Sequence, residues 1–278
     1  MDLFARCFLL VFSQLYVGGL LALSVPPFHE IERGFYKSSA GVFLGSGLLA
    51  LAGRMALAWW PPQGARAVDG IQALELFLLL VSLGACVVYL WSLWGDDFRV
   101  RARAYVTAWL AGAASLAAAA QSYRLDEGLS LEALLFPLLL FVPALVLGAV
   151  CTGMFLGHWY LIESGLSMEP FHRIFRFFAR TLGLQTLLLL IAVLLLLTLG
   201  DAESVVALGQ LWNEHSLLLF VRLLISPVAT AGLAWMIWKT LQIPQTMAAT
   251  GLLYIAILSV LVGEFLGRFI LFRTGLPL

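Results

Sequence analysis

The chain has 278 residues, 62% of them hydrophobic and only 12% charged, with 16 Lys and Arg against 16 Asp and Glu. So little polar surface cannot cover a water-soluble domain of this length, and a zero net charge gives no basic signal for nucleic acid, so no nucleic-acid partner is expected. Apolar runs near the ~20 residues that an α-helix needs to cross hydrocarbon recur along the chain, which predicts an all-α, polytopic membrane protein.

Span one runs from Leu3 to Val25 and stops at Pro26-Pro27, because proline cannot continue the hydrogen-bond ladder. It lacks a basic n-region and a small-residue cleavage site, so it reads as a retained span rather than a signal peptide. A polar loop covers Phe28 to Lys37. Span two covers Gly41 to Trp60, contains Arg54 and ends at Pro61-Pro62. Span three covers Ile71 to Trp94, with Glu75 one turn inside, and Asp96 to Arg103 reads as a solvated loop. Span four, Ala104 to Gln121, is rich in Ala and Gly; small residues let backbones approach, which predicts a helix buried in the bundle.

Span five covers Ala133 to Leu161 and is broken by Pro137 and Pro143. In the connector from Glu163 to Arg180, Arg173, Arg176 and Arg180 recur at helical spacing and form one basic face, suited to anionic lipid or a partner. Span six, Leu182 to Leu199, is Leu-rich without charge, and Asp201 to His215 has the mixed pattern of a short interfacial helix. Span seven covers Leu217 to Trp238, holds Arg222 and is expected to kink at Pro227. After the connector Ile243-Pro244-Gln245, span eight covers Met247 to Phe272. The expectation is one domain, residues 1–278, built as a single bundle of eight transmembrane helices with both termini on the same side.

Lys and Arg are unevenly shared between the two sides. Arg33, Lys37, Arg99, Arg101, Arg103, Arg173, Arg176, Arg180 and Lys239 fall in connectors after the odd-numbered spans, against Arg6, Arg66, Arg124 and Arg273 on the other side. The positive-inside rule places the first set in the cytoplasm and both termini outside, with the cell's plasma (inner) membrane the expected location.

On that topology Arg54, Glu75, Arg222, Glu264 and Arg268 share the outer leaflet, and Gln14 in span one lies at a similar depth or slightly deeper. Ionised groups at membrane depth mark an ion path, a ligand site or a buried pair. Glu264 and Arg268 are four residues apart and so share one helical face. One reading makes Glu264–Arg268, and Glu75 with Arg54 or Arg222, structural pairs near a wet interface. The other makes the six residues a polar pocket open to lipid, where a quinone head group meets an acid for its proton and an Arg that orients its oxygens.

Gly263-Glu264-Phe265-Leu266-Gly267-Arg268, followed by Phe272, resembles the Gly-Glu-(apolar)₂-Gly-Arg pattern in the last span of the membrane-anchor subunits of dimethyl-sulfoxide-reductase-type complex iron–sulfur enzymes. Related polysulfide-reductase-type anchors fall in the same group. Val11-Phe12-Ser13-Gln14 leading to Gly18-Gly19 is similar to the opening of that family's first span, and Arg222 and Glu75 stand in similar contexts. Leu57-Ala58-Trp59-Trp60 stands where the family carries a His-Leu-Gly-type sequence, and Gly157 to Leu161 has no counterpart there. The resemblance implies a non-catalytic subunit of a respiratory oxidoreductase complex with eight spans and periplasmic termini. It would dock an iron–sulfur protein and a catalytic subunit, and exchange electrons with menaquinol or a similar quinone. No covalently bound cofactor and no haem are expected.

A membrane b-haem needs two imidazoles from facing helices at matching depth. Of His29, His158, His172 and His215, only His158 falls within a predicted span. His158 with Glu163, Glu169 and His172 matches no tight metal-ligand spacing. His158-Trp159-Tyr160, like Trp59-Trp60 and Trp91 with Trp94, reads as interfacial belt. Cys7, Cys86 and Cys151 are scattered, without a Cys-x-x-Cys pair, so the chain has no iron–sulfur motif of its own. Two other classes compete: a structural membrane subunit without a redox site, and a transporter, which would need an inverted repeat or paired broken helices that the sequence does not show.

Overall fold

The computed structural model describes residues 2–59, 70–123, 131–163, 165–200, 202–243 and 245–277. Trp60, Pro61-Pro62, Arg66, Arg124, Asp201 and Pro244, on which parts of the topology reading rest, lie outside them, as does the side chain of Trp59. The described residues form helices α1 (Asp2–Ala22), α2 (Arg33–Trp59), α3 (Gly70–Ser92), α4 (Phe98–Ser122), α5 (Leu131–Ile162), α6 (Glu169–Leu199), α7 (Ala202–Glu214) and α8 (Ser216–Leu223). A π-helical segment, Leu224–Ala229, joins α8 to α9 (Thr230–Leu241), and α10 (Thr246–Thr274) follows. Seven helical stretches among these residues are long and apolar enough to cross a membrane, with α8 to α9 counted as one, Ser216–Leu241. The predicted fourth span, in α4, is a 25-residue helix but is not among the seven. Its Ala, Gly, Ser and Arg content dilutes the hydropathy that marks the others.

Several boundaries differ from the sequence expectation, each for a local reason. Arg33 to Lys37 opens α2 instead of a loop, since Phe35 and Tyr36 are buried and the Tyr36 hydroxyl donates to the Pro26 carbonyl at 2.8 Å. Phe98 to Arg103 belongs to α4, because the Asp97 carboxylate accepts from the Arg99 and Val100 amides and caps the helix. Arg101 is therefore not solvated: it is buried, donates to the Gly95 carbonyl at 2.7 Å and lies over the Phe28 ring. The basic connector is the first turns of α6. Ala202–Glu214 is a short helix. His158 is exposed and Trp159 half-buried with its indole donating to Glu163 at 2.7 Å, whereas Tyr160 is buried and bonds the Ser167 carbonyl, so Tyr160 belongs to the core.

Pro137 and Pro143 do not break α5, which runs unbroken through both. A proline deprives the carbonyl four residues earlier of its donor, and here neighbouring helices replace it. Gln121 of α4 donates to Ala133 O at 2.9 Å, and Arg268 of α10 donates to Leu139 O at 3.2 Å. Gln14 of α1 adds a bond to Leu140 O at 2.7 Å.

α5 is the hub of the bundle and packs against α1, α4, α6 and α10. The α1–α5 crossing is backbone on backbone: a Cβ at Gly18 would lie 1.7 Å from Ala144 O, and one at Gly148 would lie 2.1 Å from the Gly18 carbonyl carbon. Ala144 and Gly148 are four apart on one face, the small-residue seam that lets membrane helices approach. Gly19 likewise faces Phe43, so the Gly-Gly pair has a packing reason. Phe4 of α1 packs on Phe265 and Phe269 of α10, which brings the first and last helices together at one end of the bundle.

Candidate functional site

α10 carries Glu264 and Arg268 at the end where Phe4 packs. Thr246 to Glu264 is eighteen steps of 1.5 Å, so the carboxylate lies about 27 Å from the start of α10. Glu264 is 0% and Arg268 1% exposed. Arg268 Nη2 donates to Glu264 Oε2 at 3.0 Å and to Leu139 O. Arg222 reaches across from α8, with Nη1 and Nη2 both 3.4 Å from Glu264 Oε1. Gln185 of α6 donates to the same oxygen at 2.6 Å. Two guanidiniums thus converge on one carboxylate in a buried interior, with a local surplus of one positive charge.

Two devices hold this geometry. A Cβ at Gly263 would lie 2.6 Å from Ser226 Cβ and 3.2 Å from Arg222 Nη1, so only glycine lets the π-helical segment and Arg222 come this close. That segment contains Pro227, and the expected kink is realised as a π-helical stretch. Its Ile225 carbonyl accepts from Thr230 at 3.2 Å and from Ser259 of α10 at 2.9 Å, which pins the wide turn.

Arg222 Nε, Arg268 Nε and Nη1, and Gln185 Oε1 are buried without a hydrogen-bond partner among the described residues. Buried polar atoms are nearly always paired, and charged ones at a high cost if not. Three unpaired N–H donors beside one carboxylate form a site short of acceptor oxygens. An uncharged carbonyl or an anion would satisfy it.

The other predicted residues fall into separate places. Glu75 of α3 pairs with Arg54 of α2, not with Arg222, and its backbone carbonyl accepts from Ser115 of α4 at 3.1 Å. Gln14 of α1 bonds α5 at Leu140 O, and its Oε1 has no partner among the described residues. A Cβ at Gly53 would meet Leu9 of α1, so α2 brings the Arg54 pair to the same end of the bundle as Glu264. The six residues therefore share an end but form a one-to-one pair, a two-to-one cluster and a separate amide bonded to the α5 backbone.

Sequence reasoning missed Gln185 and the Leu139 carbonyl. A lone amide in a span otherwise built of Leu was the available signal for the first, and Pro143, four residues on, for the second. Among the described residues, no group of three or more His, Cys, Asp or Glu is placed to hold a metal ion. No family model and no curated protein matches the sequence.

Proposed function

We propose that the chain is the integral anchor subunit of a quinone-linked redox complex, similar to the dimethyl-sulfoxide-reductase-type anchors, docking an iron–sulfur protein and, through it, a catalytic subunit. The observation that carries this reading is the Arg222–Glu264–Arg268 cluster with its unpaired donors. A quinone carbonyl is the acceptor such donors lack, and a bound quinol supplies electrons and protons. Arg222 and Arg268 orient the ring oxygens by donation from their free N–H groups, Gln185 fixes the carboxylate, Glu264 receives one of the quinol's two protons, the other leaves to the outer aqueous face, and the two electrons pass to the docked iron–sulfur protein. Menaquinone or another quinone fits this donor set.

In the same reading α4, the predicted fourth span, also crosses and brings the number of spans to eight. Its 25 residues give about 37 Å of helix, enough to cross. The positive-inside rule sets the arginine-rich ends of α4 and α6 in the cytoplasm and both termini outside the plasma membrane.

A second reading, a structural subunit without a redox site, is favoured by the near-zero exposure of Glu264 and Arg268. One variant separates the two. Arg222→Gln leaves Glu264 and Arg268 as a balanced pair, so the complex should still assemble. Loss of one charged donor should weaken binding of a quinone analogue about tenfold. Unchanged analogue binding and unchanged quinol turnover per assembled complex in this variant would assign the cluster to structure alone. Co-purification of an iron–sulfur protein tests the docking role.

A further inference from the structure

At the opposite end of the bundle, a groove of ≈ 370 Å³ opens between α6 and α9, lined by Phe175, Arg176, Arg180, Trp235 and Trp238. Its charge is net positive, with one acid, Glu169, on Arg176. Glu169 is held by Arg173 at 3.1 Å and Arg176 at 2.8 Å, while Arg180, exposed, makes no ion pair with a described residue. Lys239 adds a third cation above the wall, its ammonium 4.8 Å from the Trp238 ring centroid and 6.0 Å from that of Trp235.

Beyond Arg180 the same face of α6 turns wholly apolar. Leu184, Leu187 and Ile191 continue the stripe at helical spacing and are 48%, 54% and 40% exposed. Cations at the mouth, indoles at interfacial depth and an outward aliphatic track beneath match an amphiphile with a negative head and acyl tails. A soluble anion would use the arginines and leave the track unexplained, and an apolar helix would use the track and leave the arginines unexplained.

We propose that this groove is a binding site for one anionic phospholipid, its phosphate on Arg180 and Arg176 and its chains along Leu184, Leu187 and Ile191. The site is independent of the quinone reading, because it lies at the other end and involves none of the same residues.

The test is native mass spectrometry of the full chain released from bilayers of equal phosphatidylglycerol and phosphatidylcholine. The expected result is one retained phosphatidylglycerol per chain, falling about fivefold in Arg180→Gln and further in Arg176→Gln/Arg180→Gln. Trp235→Ala, which removes a groove wall that is 59% exposed, should lower retention while leaving the charges in place. Arg99→Gln/Arg103→Gln, at the same basic end but outside the groove, should leave it unchanged. Equal retention of phosphatidylcholine overturns the proposal, as does a loss in the Arg99/Arg103 control equal to that in the groove variants, or undiminished retention in folded Arg176→Gln/Arg180→Gln and Trp235→Ala proteins. The assay contains no quinone, so its failure leaves the reading of the Glu264 cluster untouched.

Discussion

Arg54–Glu75 and Arg222–Glu264–Arg268 lie at the same end of one bundle, use the same two residue types and differ in stoichiometry. The first is one base on one acid, joining adjacent helices across a short sequence gap. The second is two bases on one acid, with α5, α6, α8 and α10 all contributing a bond. Both leave donors over: among the described residues Arg54 Nε, like Arg222 Nε and Arg268 Nε and Nη1, is buried without a partner. The cluster differs in holding one cation more than it has acids, and that uncompensated charge, which calls for a further acceptor, distinguishes the candidate site from the structural tie.

The comparison can be broken most forcefully at Glu264. Glu264→Gln strands two buried guanidiniums and should destabilise the protein by about 3–5 kcal/mol, read as a lower unfolding temperature in detergent. A near-neutral result would mean the cluster is already neutralised by something else. Arg54→Gln leaves Glu75 buried without its cation, and since Arg54 is 13% exposed the expected loss is smaller, about 3 kcal/mol. Gly263→Ala pushes the π-helical segment off α10 and should cost about 1–3 kcal/mol by overpacking. It also moves Arg222, so analogue binding should fall with it.

Arg222→Gln sharpens the contrast from the other side. Removing the surplus charge should cost only about 1 kcal/mol, well below Arg54→Gln, although both delete one buried arginine. Equal losses from the two would erase the distinction between pair and site. The smallest effect belongs to the water-facing Arg33–Asp96 contact, where a 2.8 Å bond from Arg33 holds the Asp96 carboxyl below its ordinary range. Its contribution is present above the ordinary carboxylate range and is lost as pH falls through the lowered folded value. Asp96→Asn should flatten only that acid limb of an unfolding-temperature series, since exposed pairs contribute little.

Much of this fold was legible in residue order. Apolar run length located the helices, because hydrocarbon thickness fixes that length whatever the tertiary partners. Loop-like stretches such as Arg33 to Lys37 and Phe98 to Arg103 were misread because polarity alone does not end a helix when an aspartate caps it or an aromatic face buries it. The prolines of α5 were misread as breaks because the groups that repair them, Gln121 and Arg268, lie far along the chain. The Glu264–Arg268 contact follows from spacing, while the choice of Arg54 as partner of Glu75, and the part played by Gln185, depend on helix packing that periodicity does not encode.

The Leu139 carbonyl has a consequence for biogenesis. Helix five enters the bilayer before helix ten has been synthesised, and until Arg268 arrives that oxygen faces hydrocarbon with nothing to bind. That bond therefore forms only once the last helix has joined the bundle, so the proline-freed carbonyl of helix five is satisfied late.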